Sequence, residues 1–256
     1  LLASGLLLRE ENSENYGKSS RLLVACNTHQ MIMLKKIYAG CLLLIAQCLM
    51  IPTALAHPHI WIEGAIELVF NSQGQATAVR QSWLFDELFS TYALQGMPRD
   101  KAGQVPSAEL GKITGEWMTA LADPESHFFT KIRLGGKSLA FGAPLNARST
   151  WDPKASQLVL SFELPLDSPV KIDAKGLEVD IQDPGYFVAF EYKGGARAFK
   201  GIDAPEQCKF GYMPPRPLDP KTERLLWSIP PTQKELPENL REAVRQLSHQ
   251  FTVKCP

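Results

Sequence analysis

From His57 to Phe70 the chain reads HPHIWIEGAIELVF, and its large aliphatic residues fall on alternate positions. Ile60, Ile62, Ile66, Leu68 and Phe70 share one side, while His57, His59, Trp61, Glu63 and Glu67 share the other. Period two marks a β-strand with one buried face, because successive side chains leave an extended backbone in opposite directions. A chain built on such strands must supply a second layer to cover the apolar face. Asn71-Ser72-Gln73-Gly74 supplies turn residues, and a second strand over 75–84 completes an N-terminal hairpin. The alternation returns where Phe128, Thr130, Ile132 and Leu134 interleave with His127, Phe129, Lys131 and Arg133, so that His127 opens a strand. Gly135-Gly136 turns the chain back into 137–141. Further strands are expected over 145–151, 157–164, 177–181 and 186–192, interrupted by Asp152-Pro153, Asp183-Pro184-Gly185 and Gly194-Gly195.

Helical spacing is confined to short stretches. Asp86 can cap a helix carrying Leu88, Phe89 and Tyr92, and Leu110, Ile113, Trp117 and Leu121 recur at helical period over 107–122 until Asp123-Pro124. The proline-rich 205–237 reads as irregular, and a last helix over 238–251 would bury Leu240, Val244, Leu247 and Phe251. The expected fold is α+β, mainly antiparallel β as a sandwich or open barrel, with two or three packed helices.

Ahead of this body, MIMLKKIYAGCLLLIAQCLMIPTALA has a short basic start, an apolar run and small residues before His57. That is the layout of a secretory signal cleaved after Ala56. The expected organisation is an upstream non-native extension at 1–30, a signal peptide at 31–56 and a single periplasmic domain at 57–256. Within it, 57–125 holds the hairpin and helices, 126–200 the β-rich body, and 201–256 the irregular segment and last helix. Of 27 basic and 27 acidic residues, Arg9, Lys18, Arg21, Lys35, Lys36, Glu10, Glu11 and Glu14 leave with the signal, so the remaining 22 and 24 give a charge of −2. Such a balance implies no nucleic-acid partner. Cys26, Cys41 and Cys48 also leave, and in an oxidising compartment Cys208 and Cys255 would form a disulfide. Two thiolates on a metal are the competing reading.

Cleavage after Ala56 would give His57 a free amine beside its imidazole, with His59 on the same side of the strand. Three nitrogen donors suit copper, nickel, zinc or cobalt, all divalent transition metals. Pro58 has no N–H, which rules out a square-planar site using that amide and leaves an amine-plus-imidazole brace completed from elsewhere. The candidates to complete it are His127, Asp86 and Asp183, with Glu87 a further carboxylate. Each has a plainer explanation: a surface histidine, a helix cap and a turn carboxylate. The plainer reading of His57 and His59 is a frayed strand start, and His249 is expected to face solvent on the last helix. No G-x-S-x-G, H-E-x-x-H, phosphate loop or dinucleotide fingerprint occurs, so no enzymatic role is expected.

HPHIWIE, the W-x-F-D-E-L-F-S stretch at Trp83, FFTKI, DPGYFVAFEY and the closing Cys255 together resemble an uncharacterised family of periplasmic components of ABC-type transport systems, domain of unknown function 1007. The resemblance spans nearly all of the chain from His57 to Cys255. It implies a periplasmic partner of a membrane permease or ABC-type transporter, beside or fused to nickel/cobalt-type permeases. It also favours His57 and His59 as the functional histidines, with Asp86 and Asp183 in support and His127 less so. Three readings follow: a metal-binding transport accessory protein, a metal-free domain docking on a transporter, and a copper-dependent redox enzyme built on the N-terminal brace.

Overall fold

The opening strand buries the side its alternation marks. β1 (Ile60–Phe70) sinks Ile62, Ile66, Leu68 and Phe70 and turns Trp61 outward. This is a computed structural model describing residues 58–230 and 236–256; the expected upstream extension at 1–30, the expected signal at 31–56 and His57 lie outside the described residues. β1 pairs antiparallel with β2 (Ala76–Phe85) through the expected turn. β2 pairs with β6 (Gln157–Val170), and β6 with β5 (Leu145–Asp152). On its other edge β1 takes two short parallel partners in succession, β8 (Val188–Glu191) and β9 (Phe199–Ile202). Register across this first sheet is marked by Arg80, which stands between Glu67 on β1 and Glu163 on β6 at 2.9 and 3.0 Å. A slip of one or two residues would part Arg80 from both carboxylates and set it against uncharged neighbours, so the trio favours this register, although half-exposed pairs add little to stability.

The second sheet runs β10 (Lys209–Met213), β11 (His249–Lys254), β7 (Leu177–Ile181), β3 (Thr130–Leu134) and β4 (Lys137–Leu139), all antiparallel. Ile66, Leu68 and Val79 of the first sheet meet Ile132, Val179, Phe251 and Val253 of the second in one buried cluster. A second cluster gathers Ile62, Trp83, Phe85, Leu110 and Phe162 beneath α1 (Glu87–Ala93) and α2 (Ser107–Leu121). The fold is therefore α+β with two packed, mostly antiparallel sheets. Four helices occur among the described residues, one more than expected.

The differences from expectation concentrate toward the C-terminus. The irregular segment contains β10 and α3 (Pro220–Trp227), and α4 (Glu238–Arg245) stops six residues short of Phe251. The chain then extends as β11, because Phe251 and Val253 fill the core between the sheets only in an extended register against β7. Sheet pairing overrode a helical spacing that Leu240 and Val244 had begun. Cys208 and Cys255 form the expected disulfide, linking residues just before β10 and just after β11 across 47 positions. In the chain-entropy description a loop of that length is worth roughly 3–4 kcal/mol.

His127 does not open a strand. His127, Phe128 and Phe129 all have left-handed φ, at 42°, 52° and 51°. For L-residues this costs about 1–2 kcal/mol each. The conformation drops the Phe128 ring into the core beside Phe162, and puts Phe129 between Trp83 and Phe190. Burial of rings that size recovers about 1.5–3 kcal/mol apiece. A buried relay locks the turn: Trp83 Nε1 donates to Gln81, Gln81 Nε2 to Thr130 Oγ1, and Thr130 Oγ1 to the Phe128 carbonyl.

Candidate functional site

The start of β1 is held from both flanks by carboxylates. On one side Asp86 accepts from Phe89 N at 2.8 Å, capping α1, and its second oxygen accepts from Trp61 N at 2.9 Å. Asp86 N returns a bond to the Trp61 carbonyl. On the other side the Phe187 carbonyl accepts from His59 N at 2.8 Å and Ile60 N at 3.2 Å. Phe187 is positioned in turn by Asp183, which is only 7% exposed. One Asp183 oxygen accepts from Gly185 N and the other from Phe187 N and Val188 N, each at 2.8 Å. Burial pushes the Asp183 carboxyl above the usual range, and these three N–H groups oppose that rise.

Residues 59–61 are thus fixed at both edges of one strand. The His59 ring lies 4.6 Å from the Phe187 ring, and its Nε2 is buried. Pro58, Trp61, Asp183, Tyr186 and His249 line a cavity of about 180 Å³ at this end.

His249 was expected to face solvent and does not: it lies on β11, 6% exposed. Its Nε2 meets the Phe190 carbonyl at 2.9 Å and its Nδ1 the Tyr212 hydroxyl at 2.9 Å. A carbonyl only accepts, so Nε2 carries the proton and Nδ1 accepts from Tyr212. Burial lowers its pKa to about 4, against the opposing pull of the Phe190 carbonyl. The alternation of His249 with Phe251 and Val253 is the sequence signal that places it inward.

The predicted donors do not meet as one set. His59 and Asp183 are joined through Phe187, and Asp86 sits across the strand from them. His127 is exposed, stacks on Phe141 at 4.5 Å and lines a different cavity. Glu87 is exposed in the first turn of α1. Among the described residues no three His, Cys, Asp or Glu side chains group closely enough to hold a metal ion. Of the five candidate ligands, His57 lies outside those residues.

The segments that build this end of the molecule are those carrying the family resemblance. A family model described as "Protein of unknown function (DUF1007)" matches residues 42–255. The chain belongs to this family. A relative within reach is an uncharacterised protein of Haemophilus influenzae, 23% identical over 187 residues, which cover 73% of this chain and 86% of the relative. The family match includes β1, both flanking carboxylates and the disulfide.

Proposed function

We propose that the chain is an exported accessory protein of a membrane transport system that binds a divalent transition metal, nickel, cobalt, zinc or copper, at the start of β1. The observation that carries this reading is the double anchoring of residues 59–61 by Asp86 and Asp183. An imidazole donor is useful only when its backbone is fixed, and positioning groups around a metal do as much as the ligands. Asp86 and Asp183 have their oxygens engaged by backbone N–H groups, so they suit positioning better than coordination. His59 is the imidazole on the anchored strand, and the remaining nitrogens would come from His57, one peptide bond from the cavity-lining Pro58. A disulfide that closes the second sheet supports an oxidising, periplasmic compartment.

The test is to determine the N-terminus of the exported protein by mass spectrometry, then titrate Ni, Cu, Zn and Co into wild type and a His57→Ala/His59→Ala variant. The expected result is a chain beginning at His57 that binds one metal, and at least about a hundredfold weaker binding in the variant. Indistinguishable titrations, or a mature chain starting beyond His59, overturn the reading. A metal-free docking domain is the second reading, favoured by exposed Trp61, Leu88 and Tyr92 on β1 and α1. It requires that neither protein take up metal.

A further inference from the structure

The outer face of the second sheet ought to be wet, since its other face already packs on the core. Lys131 on β3, Asp180 on β7 and Gln250 on β11 stand in register across it. Yet Asp180 is only 8% exposed. The left-handed turn at His127 and the end of α4 around Arg245 and Ser248 enclose a cavity of about 370 Å³ over this face.

Asp180 accepts from Arg133 Nη2 at 2.6 Å through Oδ2, and Arg133 also pairs with Glu178 at 3.0 Å. Asp180 Oδ1 is buried and has no hydrogen-bond partner, and neither has the buried Ser248 Oγ. Leaving such atoms open forfeits the hydrogen bonds they would make to water, which is why they are rare and call for an explanation. Both residues line the same cavity, as do Lys131 and Arg245. An anion alone would face the Asp180 carboxylate, and a cation alone would face Lys131 and the guanidinium of Arg245, which also pairs with Glu242, while Arg133 is taken up by Asp180 and Glu178. A solute carrying both charges satisfies both sides. The volume is near the lower end of the roughly 300–1,000 Å³ found for small-molecule sites, so the solute is small.

We infer that this cavity binds a small zwitterion of the α-amino-acid class, its ammonium donating to Asp180 Oδ1 and Ser248 Oγ and its carboxylate held by Lys131 and Arg245. The cavity meets that at the start of β1 only at Gln182, includes none of residues 58–61, and does not depend on metal.

The experiment is isothermal titration of the exported chain with each common L-amino acid, with acetate and methylammonium as single-charge probes. At least one amino acid is expected to bind with a Kd on the order of 1 mM or tighter, with both single-charge probes at least about tenfold weaker. Asp180→Asn and Lys131→Ala should each weaken that amino acid about tenfold or more, in proteins whose circular dichroism and melting match wild type. The His57→Ala/His59→Ala variant should bind it unchanged, which separates failure here from failure of the metal reading. A panel with no binder, acetate binding as tightly as the amino acid, or folded Asp180→Asn and Lys131→Ala proteins that bind as wild type each overturn the assignment.

Discussion

Asp180 and Asp183 lie three residues apart where β7 ends, both are more than nine-tenths buried, and burial raises the pKa of both carboxyls. Their surroundings differ. Asp183 receives three backbone N–H bonds from its own loop, so its charge is spent on shaping the chain from Gly185 to Val188. Asp180 receives one guanidinium and leaves an oxygen open toward a cavity. Depth of burial and direction of pKa shift are therefore the same for a carboxylate that organises a loop and one poised for a ligand. Counting which acceptor sites are filled is what separates them.

The largest effect is expected at Asp183. Asp183→Ala strands three N–H groups and loosens the carbonyl that holds His59 and Ile60, so a loss of about 3–5 kcal/mol is expected in urea unfolding. A loss below about 1 kcal/mol would mean that the loop keeps its shape without the carboxylate.

Acidification sharpens the contrast with a third buried group. His249 is neutral in the fold with a pKa lowered to about 4, so the unfolded chain binds the proton more readily. Its contribution is complete above the unfolded value near 6.5 and disappears as pH falls toward 4, on the order of 2–3 kcal/mol. Asp180 and Asp183 act with the opposite sign, because carboxyls raised in the fold take up protons earlier than in the unfolded chain. His249→Gln, melted at about pH 7 and about pH 4.5, should therefore lose less stability on acidification than wild type. An equal loss would move the acid sensitivity elsewhere.

The smallest effect belongs to Asp180. Asp180→Asn keeps an acceptor for Arg133, which retains Glu178, and should change stability by less than about 1 kcal/mol. A loss matching that of Asp183→Ala would make Asp180 a structural carboxylate too, and equal denaturant midpoints for the two variants would be the sign.

Much of the first sheet was legible because its determinants are local. The alternation of Ile62, Ile66, Leu68 and Phe70, the Asn71 turn, the Asp86 cap and the Leu110/Ile113 stripe each occupy a few consecutive residues. The C-terminal third was harder. Val244 and Phe251 share a helical spacing, yet Phe251 is claimed by β7 and β10, which lie distant in sequence. The left-handed run at His127 could not be read either, since nothing in His-Phe-Phe announces positive φ. The turn exists because two aromatic rings find a core there.

The candidate site divided along the same line. Residue chemistry singled out His59, Asp86 and Asp183 as donors, and Cys208 and Cys255 as partners, because those properties travel with the residue type and its neighbours. Only the tertiary structure turned Asp86 and Asp183 into clamps on β1, moved His127 to another cavity, and buried both His249 and an Asp180 oxygen that no protein donor reaches. The physical reason is that a strand pattern reports which side of a chain is apolar, whereas the filling of each hydrogen-bonding site depends on what the rest of the chain lays across it.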